Sequence, residues 1–306
     1  MILCCGEALI DMLPRTTTAG ESAFAPYPGG AVFNTAVALG RLGAPTGFFS
    51  GLSTDLFGAM LTDALGKSGV DASPAALSDR PTTLAFVQLV EGQATYAFYD
   101  ENTAGRMLSE DDLPALGPDV DALFFGGISL VAEPCGSSLE ALMTREADVR
   151  VTMIDPNIRP GFVRDEPTYR ARIERMIALA DIVKLSDDDL HWLEGRGDTA
   201  ALARALLQKG PKLVCITEGA KGATGYTAEH TVAVPARPVT VVDTVGAGDT
   251  FNAGVLAGLS DAGALSKKAI ATLSPETIEA ALALGVRAAS ITVARAGASP
   301  PRREEL

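Results

Sequence analysis

The stretch Val241-Val242-Asp243-Thr244-Val245-Gly246-Ala247-Gly248-Asp249-Thr250-Phe251 carries the most chemistry per residue in the chain. An extended apolar run ends at a Gly-Ala-Gly turn that passes directly into an Ala- and Leu-rich helix. The first turn of a helix leaves N–H groups unpaired and carries partial positive charge, so it attracts anions. Glycines there let the backbone approach a phosphate with no Cβ in the way. Asp249 falls in that first turn, where a carboxylate faces the same anion and is placed to take a proton from an attacking hydroxyl. A simple helix cap after a tight turn would use the same residues, so the company they keep decides the matter.

That company is substantial. Tyr27-Pro28-Gly29-Gly30-Ala31-Val32-Phe33-Asn34 is a second glycine pair opening a helix, with Asn34 one turn inside. Gly6-Glu7-Ala8-Leu9-Ile10-Asp11 puts an acid at the C-terminal end of a first strand, the end at which open α/β sheets bind ligands. Asp155-Pro156-Asn157-Ile158-Arg159, Lys184-Leu185-Ser186-Asp187-Asp188-Asp189 and Thr217-Glu218-Gly219-Ala220-Lys221-Gly222 each follow a predicted strand as well. Lys221 reads as solvated.

The elements needed to hold these segments can be read from periodicity. Short β-rich runs alternate with helical stretches, which predicts an α/β fold: a mostly parallel sheet sandwiched by helices. Strands are expected at 2–10, 46–52, 122–128, 149–154, 181–185 and 212–217. Helices are expected at 30–42, 137–147, 167–180, 199–209, 247–259 and 275–294, with Asp55 capping another and Ser274-Pro275 opening the last. Residues 11–28 lack helical period, and 82–100 alternate like a hairpin turning near Glu91-Gly92. Together, 11–28 and 82–106 predict a small sheet projecting from a single domain spanning 1–306. One apolar face of such a sheet must cover a ligand, a partner subunit or both. The tail from Pro300 to Leu306 looks frayed.

Composition sets the outer limits. The 306 residues carry 25 Lys and Arg against 38 Asp and Glu, a formal charge of −13, with 47% hydrophobic and 21% charged residues. This excludes a disordered chain and argues against broad electrostatic attraction to nucleic acid or an anionic membrane. No run reaches the ~18 apolar residues that span a bilayer, and the start lacks the basic region of a secretory signal. Cys4, Cys5, Cys135 and Cys215 show no zinc spacing and read as buried free thiols, consistent with a reducing cytoplasm.

The segments, in this order and at these separations, resemble the ribokinase-like (PfkB) family of carbohydrate kinases over essentially the whole chain. The Asp-Thr-x-Gly-Ala-Gly-Asp-Thr-Phe string is the most specific part. The resemblance implies Asp249 as the general base toward a sugar's primary hydroxyl and the N–H groups of Gly246, Ala247 and Gly248 as an anion hole for the transferred phosphoryl group. It implies that Asp11, Gly29, Gly30 and Asn34 hold sugar hydroxyls, that Phe98 closes a small β-sheet lid over the sugar, and that Arg159 reaches toward substrate. Lys184, Ser186, Asp189, Thr217, Gly219 and Gly222 fall on the nucleotide side. Ser186 and Asp189 stand where many members have Asn-x-x-Glu, a motif associated with magnesium and phosphate, so ATP and water are expected to hold Mg2+. Asp243 and Val245, with carbonyls near Thr292, Arg295 and Gly297, resemble a monovalent-cation site, which implies K+.

Ala97-Phe98-Tyr99-Asp100-Glu101-Asn102-Thr103-Ala104-Gly105-Arg106-Met107-Leu108 looks most like the family's bacterial fructokinases, which implies D-fructose as acceptor. 2-Keto-3-deoxygluconate kinases and ribokinases share the phosphoryl machinery and stand as alternatives. A sugar-binding sensor without catalysis is a third, disfavoured by the intact turn beside Asp249. The string Gly-x-Gly-x-x-Gly fails at Phe251, and no Gly-x-x-x-x-Gly-Lys-Ser/Thr occurs, so dinucleotide and P-loop sites are excluded. The lid's apolar alternation predicts a homodimer paired through it, since an isolated hairpin is marginally stable.

Overall fold

The computed structural model describes residues 1–90 and 93–306, with side chains for all of these except 88–90 and 93–96. The chain opens with strands β1 (Ile2–Cys5), β2 (Leu9–Thr16) and β3 (Ser22–Gly29), then helix α1 (Ala31–Arg41). β4 (Thr46–Phe49), β5 (Gly51–Ser53), α2 (Leu56–Lys67), β6 (Val70–Asp71) and β7 (Ala76–Ser78) follow, then β8 (Leu84–Val90) and β9 (Gln93–Tyr99). Strand and helix then alternate: β10 (Ala122–Gly126), α3 (Cys135–Glu146), β11 (Val151–Asp155), α4 (Glu166–Leu179), β12 (Ile182–Ser186), α5 (Asp187–Glu194), α6 (Thr199–Leu207) and β13 (Leu213–Thr217). The chain closes with β14 (Ala223–Tyr226), β15 (Thr231–Val234), α7 (Ala247–Asp261), α8 (Lys267–Ile270) and α9 (Pro275–Val293).

Among the described residues, nine strands form the main sheet in the order β15-β14-β13-β12-β11-β10-β1-β4-β6. It is parallel from β13 to β6, with β14 and β15 antiparallel at one edge. Because side chains alternate across a strand, β1 feeds two cores: Ile2 and Cys4 pack with α1, α7 and α9, while Leu3 and Cys5 pack with α3, α4 and α6. Both faces are therefore covered, as parallel sheets require. The four cysteines are free and buried. Asp55 caps α2 through Phe57 N and Gly58 N, and Ser274 caps α9 through Thr277 N with Pro275 at the first helical position.

A second sheet runs β3-β2-β8-β9, with β2 and β8 parallel and the other neighbours antiparallel. It covers most of the segments expected to form an accessory sheet, and the expected turn at Glu91-Gly92 lies outside the described residues.

Four expectations need correction. The strand at 2–10 is two strands in two sheets, because the chain leaves β1 at Gly6 and Glu7 turns its carboxylate to the N–H groups of Ala31 and Ser129. The run at 46–52 likewise divides, β4 staying in the main sheet and β5 pairing with β7. Val241 and Val242 form no strand: Val242 N donates to Val293 O at 2.8 Å, at the end of α9, and both side chains are exposed. The tail is docked, not frayed, with Pro300 and Pro301 buried, Arg41 donating to Pro300 O, and Arg303 paired with Asp261.

Candidate active site

A cleft of about 590 Å³ opens at the C-terminal ends of the main strands, between α7, α1 and the second sheet. Its floor is the start of α7. Gly246 caps that helix at φ 77°, a left-handed conformation, and a Cβ there would lie 2.8 Å from the Ala298 Cβ, so no other residue fits. The helical ladder begins with Thr250 N donating to Gly246 O, while Ala247 N makes a long 3.3 Å contact with Thr244 O. Gly248 N and Asp249 N have no intrahelical carbonyl to reach, so the turn presents unpaired donors to the cleft.

Asp249 stands on this turn, 6% exposed. Its Oδ2 accepts from Asn34 Nδ2 at 2.9 Å and its Oδ1 from Asn157 Nδ2 at 3.5 Å. Burial pushes its carboxyl up to about 7, with the Asp155 and Glu7 charges adding to the rise and Asn34 and Lys184 opposing it. A carboxyl that titrates near neutrality is matched to accepting a proton there.

On the side of the second sheet, Asp11, Gly30, Asn34, Phe98 and Arg159 line the same cleft as Asp249. Gly30 caps α1 at φ 107°, and a Cβ there would lie 2.9 Å from the Glu7 carbonyl oxygen. Gly29 backs Asp11 from β3 and is not part of the lining. Burial raises the Asp11 carboxyl to about 6. Phe98, on β9, meets Phe162 edge to face at 4.5 Å, so an aromatic pair walls this end. Arg159 donates to the Ile158 carbonyl at 3.0 Å.

On the opposite side, Lys184, Ser186, Asp189, Thr217 and Gly219 also line the cleft, whereas Gly222 lies behind it where the chain enters β14. Lys184 is buried and ion-paired to Asp155 at 2.9 Å; burial works against its charge, but Asp155 together with the charges of Asp189 and Asp249 more than offsets it and its pKa rises. Ser186 and Asp189 form a reciprocal capping box at the start of α5, and Asp189 Oδ1 also accepts from Ile158 N at 3.0 Å. With its oxygens so engaged, Asp189 offers little to a metal. Among the described residues no cluster of three or more His, Cys, Asp or Glu is arranged to hold one.

Val245 lines the cleft beside Thr244, while Asp243, Thr292, Arg295 and Gly297 lie outside its lining. Asp243 ties the two loops together, accepting from Val245 N at 3.0 Å and Gly297 N at 2.9 Å. The Arg295 guanidinium turns away to Glu305, and Thr292 is wholly buried against Thr250.

Sequence reasoning passed over four residues that complete this site. Glu7 lines the cleft and stitches α1 to the turn after β10; Asn157 reaches Asp249 from a left-handed φ of 44°. Asp155 and Asn252 sit beneath, joined at 2.7 Å. The signal for Glu7 was a charge at the exit of an apolar strand, and for Asp155 and Asn157 their place just past another. Asn252 had no local signal, since its partner lies 97 positions away.

Comparison with known proteins places this geometry. The family described as pfkB family carbohydrate kinase matches residues 1–305. A fructokinase of Rhizobium leguminosarum bv. trifolii is 60% identical over 278 residues, covering 91% of this chain and 85% of the relative. The crystal structure of a Xylella fastidiosa fructokinase with bound ATP superposes with a TM-score of 0.89 at 30% identity, covering 97% of this chain and 93% of that one. A Vibrio cholerae fructokinase variant, in its fructose-, ADP- and potassium-bound form, gives a TM-score of 0.84 at 27% identity, covering 97% and 93%.

Proposed function

The chain belongs to the pfkB family of carbohydrate kinases, and we propose that it transfers the γ-phosphoryl group of ATP to the primary hydroxyl of D-fructose, giving fructose 6-phosphate. The observation that carries the proposal is the buried Asp249 carboxyl set on the open first turn of α7, in the same cleft as Asp11 and Asn34. In this reading Asp249 accepts the hydroxyl proton as the oxygen attacks, and the N–H groups of the Gly246–Asp249 turn receive the charge that develops on the phosphoryl oxygens. Asp11, Asn34 and the Gly30 backbone bind sugar hydroxyls, and Phe98 with Phe162 excludes water. Thr217 and Gly219 flank the nucleotide. Magnesium carried on the ATP phosphates would neutralise their charge.

The charges in the cleft favour a neutral acceptor. Glu7, Asp11 and Asp249 face it with Arg159 as the cation on that side, and Arg106 nearby is already paired with Asp100 at 2.8 Å. A sugar acid such as 2-keto-3-deoxygluconate would meet repulsion there. The fructokinase relatives support fructose among neutral sugars. The Vibrio structure's potassium supports K+ as a cofactor of this chain, for which Asp243, Val245 and the Thr292–Gly297 carbonyls are the proposed site; K+ against Na+ replacement would test it. Free buried thiols support a cytoplasmic protein, and the open aromatic face of the second sheet supports pairing of two copies.

The test is a panel of sugars with coupled detection of ADP. Fructose should give the highest kcat/KM; a clear win for ribose or 2-keto-3-deoxygluconate would overturn the acceptor assignment. Sugar binding with no ATP turnover would convert the reading to a sensor.

A further inference from the structure

The cleft is built on a carboxylate that never reaches it. Asp155 ends β11, is 1% exposed and is absent from the cleft lining. Its Oδ2 accepts from Lys184 Nζ at 2.9 Å and from Asn252 Nδ2 at 2.7 Å, and its Oδ1 accepts from Asn157 N at 3.1 Å. Each donor belongs to a different element bordering Asp249. Asn252 lies one turn beyond Asp249 on α7, Asn157 donates its own amide to Asp249 Oδ1, and Lys184 Nζ lies 3.1 Å from the position a Cβ would take on Gly248. We propose that Asp155 and Lys184 act as a pair of positioning residues for phosphoryl transfer: Asp155 fixes the Asn157 loop and α7 around Asp249, and Lys184 supplies a buried positive charge that balances the carboxylates there.

The electrostatics follow from that placement. The charged and titratable groups facing Asp249 are Asp155 at the end of β11, Lys184 on β12, and Glu7 in the β1–β2 turn; Asp189 on α5 acts on Lys184, and Arg159 and Asp11 line the cleft further out. From α1 and α9 the nearest polar groups are the uncharged Asn34, Thr35 and Thr292. Asp155 raises the Asp249 carboxyl and Lys184 lowers it, so the pair holds opposite signs over a single proton site. An isolated buried cation or anion would be costly, whereas the two together with their hydrogen bonds are tolerated. Asp155, absent from the cleft lining, therefore acts through its neighbours, and Lys184, which lines the cleft, acts on Asp249 through its charge.

The inference rests on Asp249 as the base, and its test separates the two ideas. kcat is measured against pH for Asp155→Asn, Lys184→Met and the double variant, with thermal melting to confirm folding. The expected result is a fall in kcat of at least tenfold for each single variant with the sugar KM changed less than about threefold. The acidic limb should move to lower pH in Asp155→Asn and to higher pH in Lys184→Met, and return toward the parent in the double variant. The double variant removes both charges at once, so it keeps the test open if either single variant fails to fold: its limb should lie near the parent's, with kcat still below the parent. Limbs that do not move, that move in the same direction, or a double variant displaced as far as either single one would overturn the proposal. Were Asp249→Asn to turn over normally, the base assignment itself would fall, whatever these limbs did.

Discussion

The two walls of the cleft are made by opposite means. On the α7 side the groups that matter are interior: Asp155 is 1% exposed, Asn252 1%, Lys184 4% and Asp249 6%, and each takes part in at least one hydrogen bond. On the sheet side half of the positions of β3 are exposed, and Phe24, Phe86 and Tyr99 form an edge-to-face row at 5.0 and 5.4 Å in which Phe24 and Tyr99 are 44% and 62% exposed. Ala85 and Val87 are buried on the opposite face, and Ile10, on the same face as the aromatic row, is buried in the core of the body. Phosphoryl transfer depends on geometry held to a fraction of an ångström, which a polar network locked inside two packed cores provides. Covering a sugar needs apolar area and some freedom to open, which a sheet that leaves rings such as Phe24 and Tyr99 exposed provides.

The largest effect expected is at the base of the rigid wall. Asp249→Asn should lower kcat by ~10²–10⁴ with the sugar KM within about threefold, because the proton acceptor is lost and the hydrogen-bonding shape is kept. The same change should stabilise the protein above neutral pH. An acid whose folded pKa of about 7 lies above the ordinary 3.8 binds its proton more tightly when folded. Its favourable contribution is therefore complete below 3.8 and is lost as pH rises to about 7. The melting advantage of Asp249→Asn should be near zero at pH 4 and several degrees at pH 8; an advantage independent of pH would break the account. Gly246→Ala comes next. Its φ of 77° and the Ala298 Cβ in the way predict a displaced turn, roughly 1–3 kcal/mol of lost stability and about a hundredfold loss of kcat.

Much of the rigid wall was legible in the sequence, because a helix start declares itself locally: Gly246, Gly248 and Asp249 fall within four positions, and Gly30 and Asn34 likewise open α1. The alternation of strands with helices, and so a mostly parallel sheet covered by helices, followed from periodicity. What stayed hidden was every partner brought in from a distance. The Asn34–Asp249 bond joins residues 215 positions apart, and Lys184 meets Asp155 across 29. Strand ends failed for a related reason: Leu9 and Ile10 are as apolar as Cys4 and Cys5, so nothing local marks where the chain leaves one sheet for another. The exposed Val241-Val242 pair misled in the opposite direction, since its backbone finds the end of α9 and not a strand.

At the boundary between the walls, Asp11 should show an intermediate effect. Its carboxyl titrates at about 6 through burial, and it faces the cleft from the sheet side. Asp11→Ala should raise the fructose KM by ~10–100-fold with a smaller change in kcat, since sugar hydroxyls lose an acceptor and other buried polar groups lose a partner. In the parent, the fructose KM should rise as pH falls below about 6, and Asp11→Asn should abolish that rise. A KM that climbs equally in the Asn variant would move the titration to some other group.

The smallest catalytic effect is expected on the open face of the sheet, and there the readout is assembly. If two copies pair through the Phe24–Phe86–Tyr99 row, replacing the two exposed rings with Phe24→Ser and Tyr99→Ser removes apolar area from the contact while leaving Ile10, Ala85 and Val87 buried. Light scattering should then shift from dimer to monomer at micromolar concentration. kcat should change less than about fivefold, because neither ring lines the cleft. A parent that is already monomeric would remove the pairing proposal. A monomeric variant whose kcat collapses as far as Asp249→Asn would do more, because the sheet would then hold the reacting groups as tightly as α7 does, and the contrast between a fixed wall and a covering one would be gone.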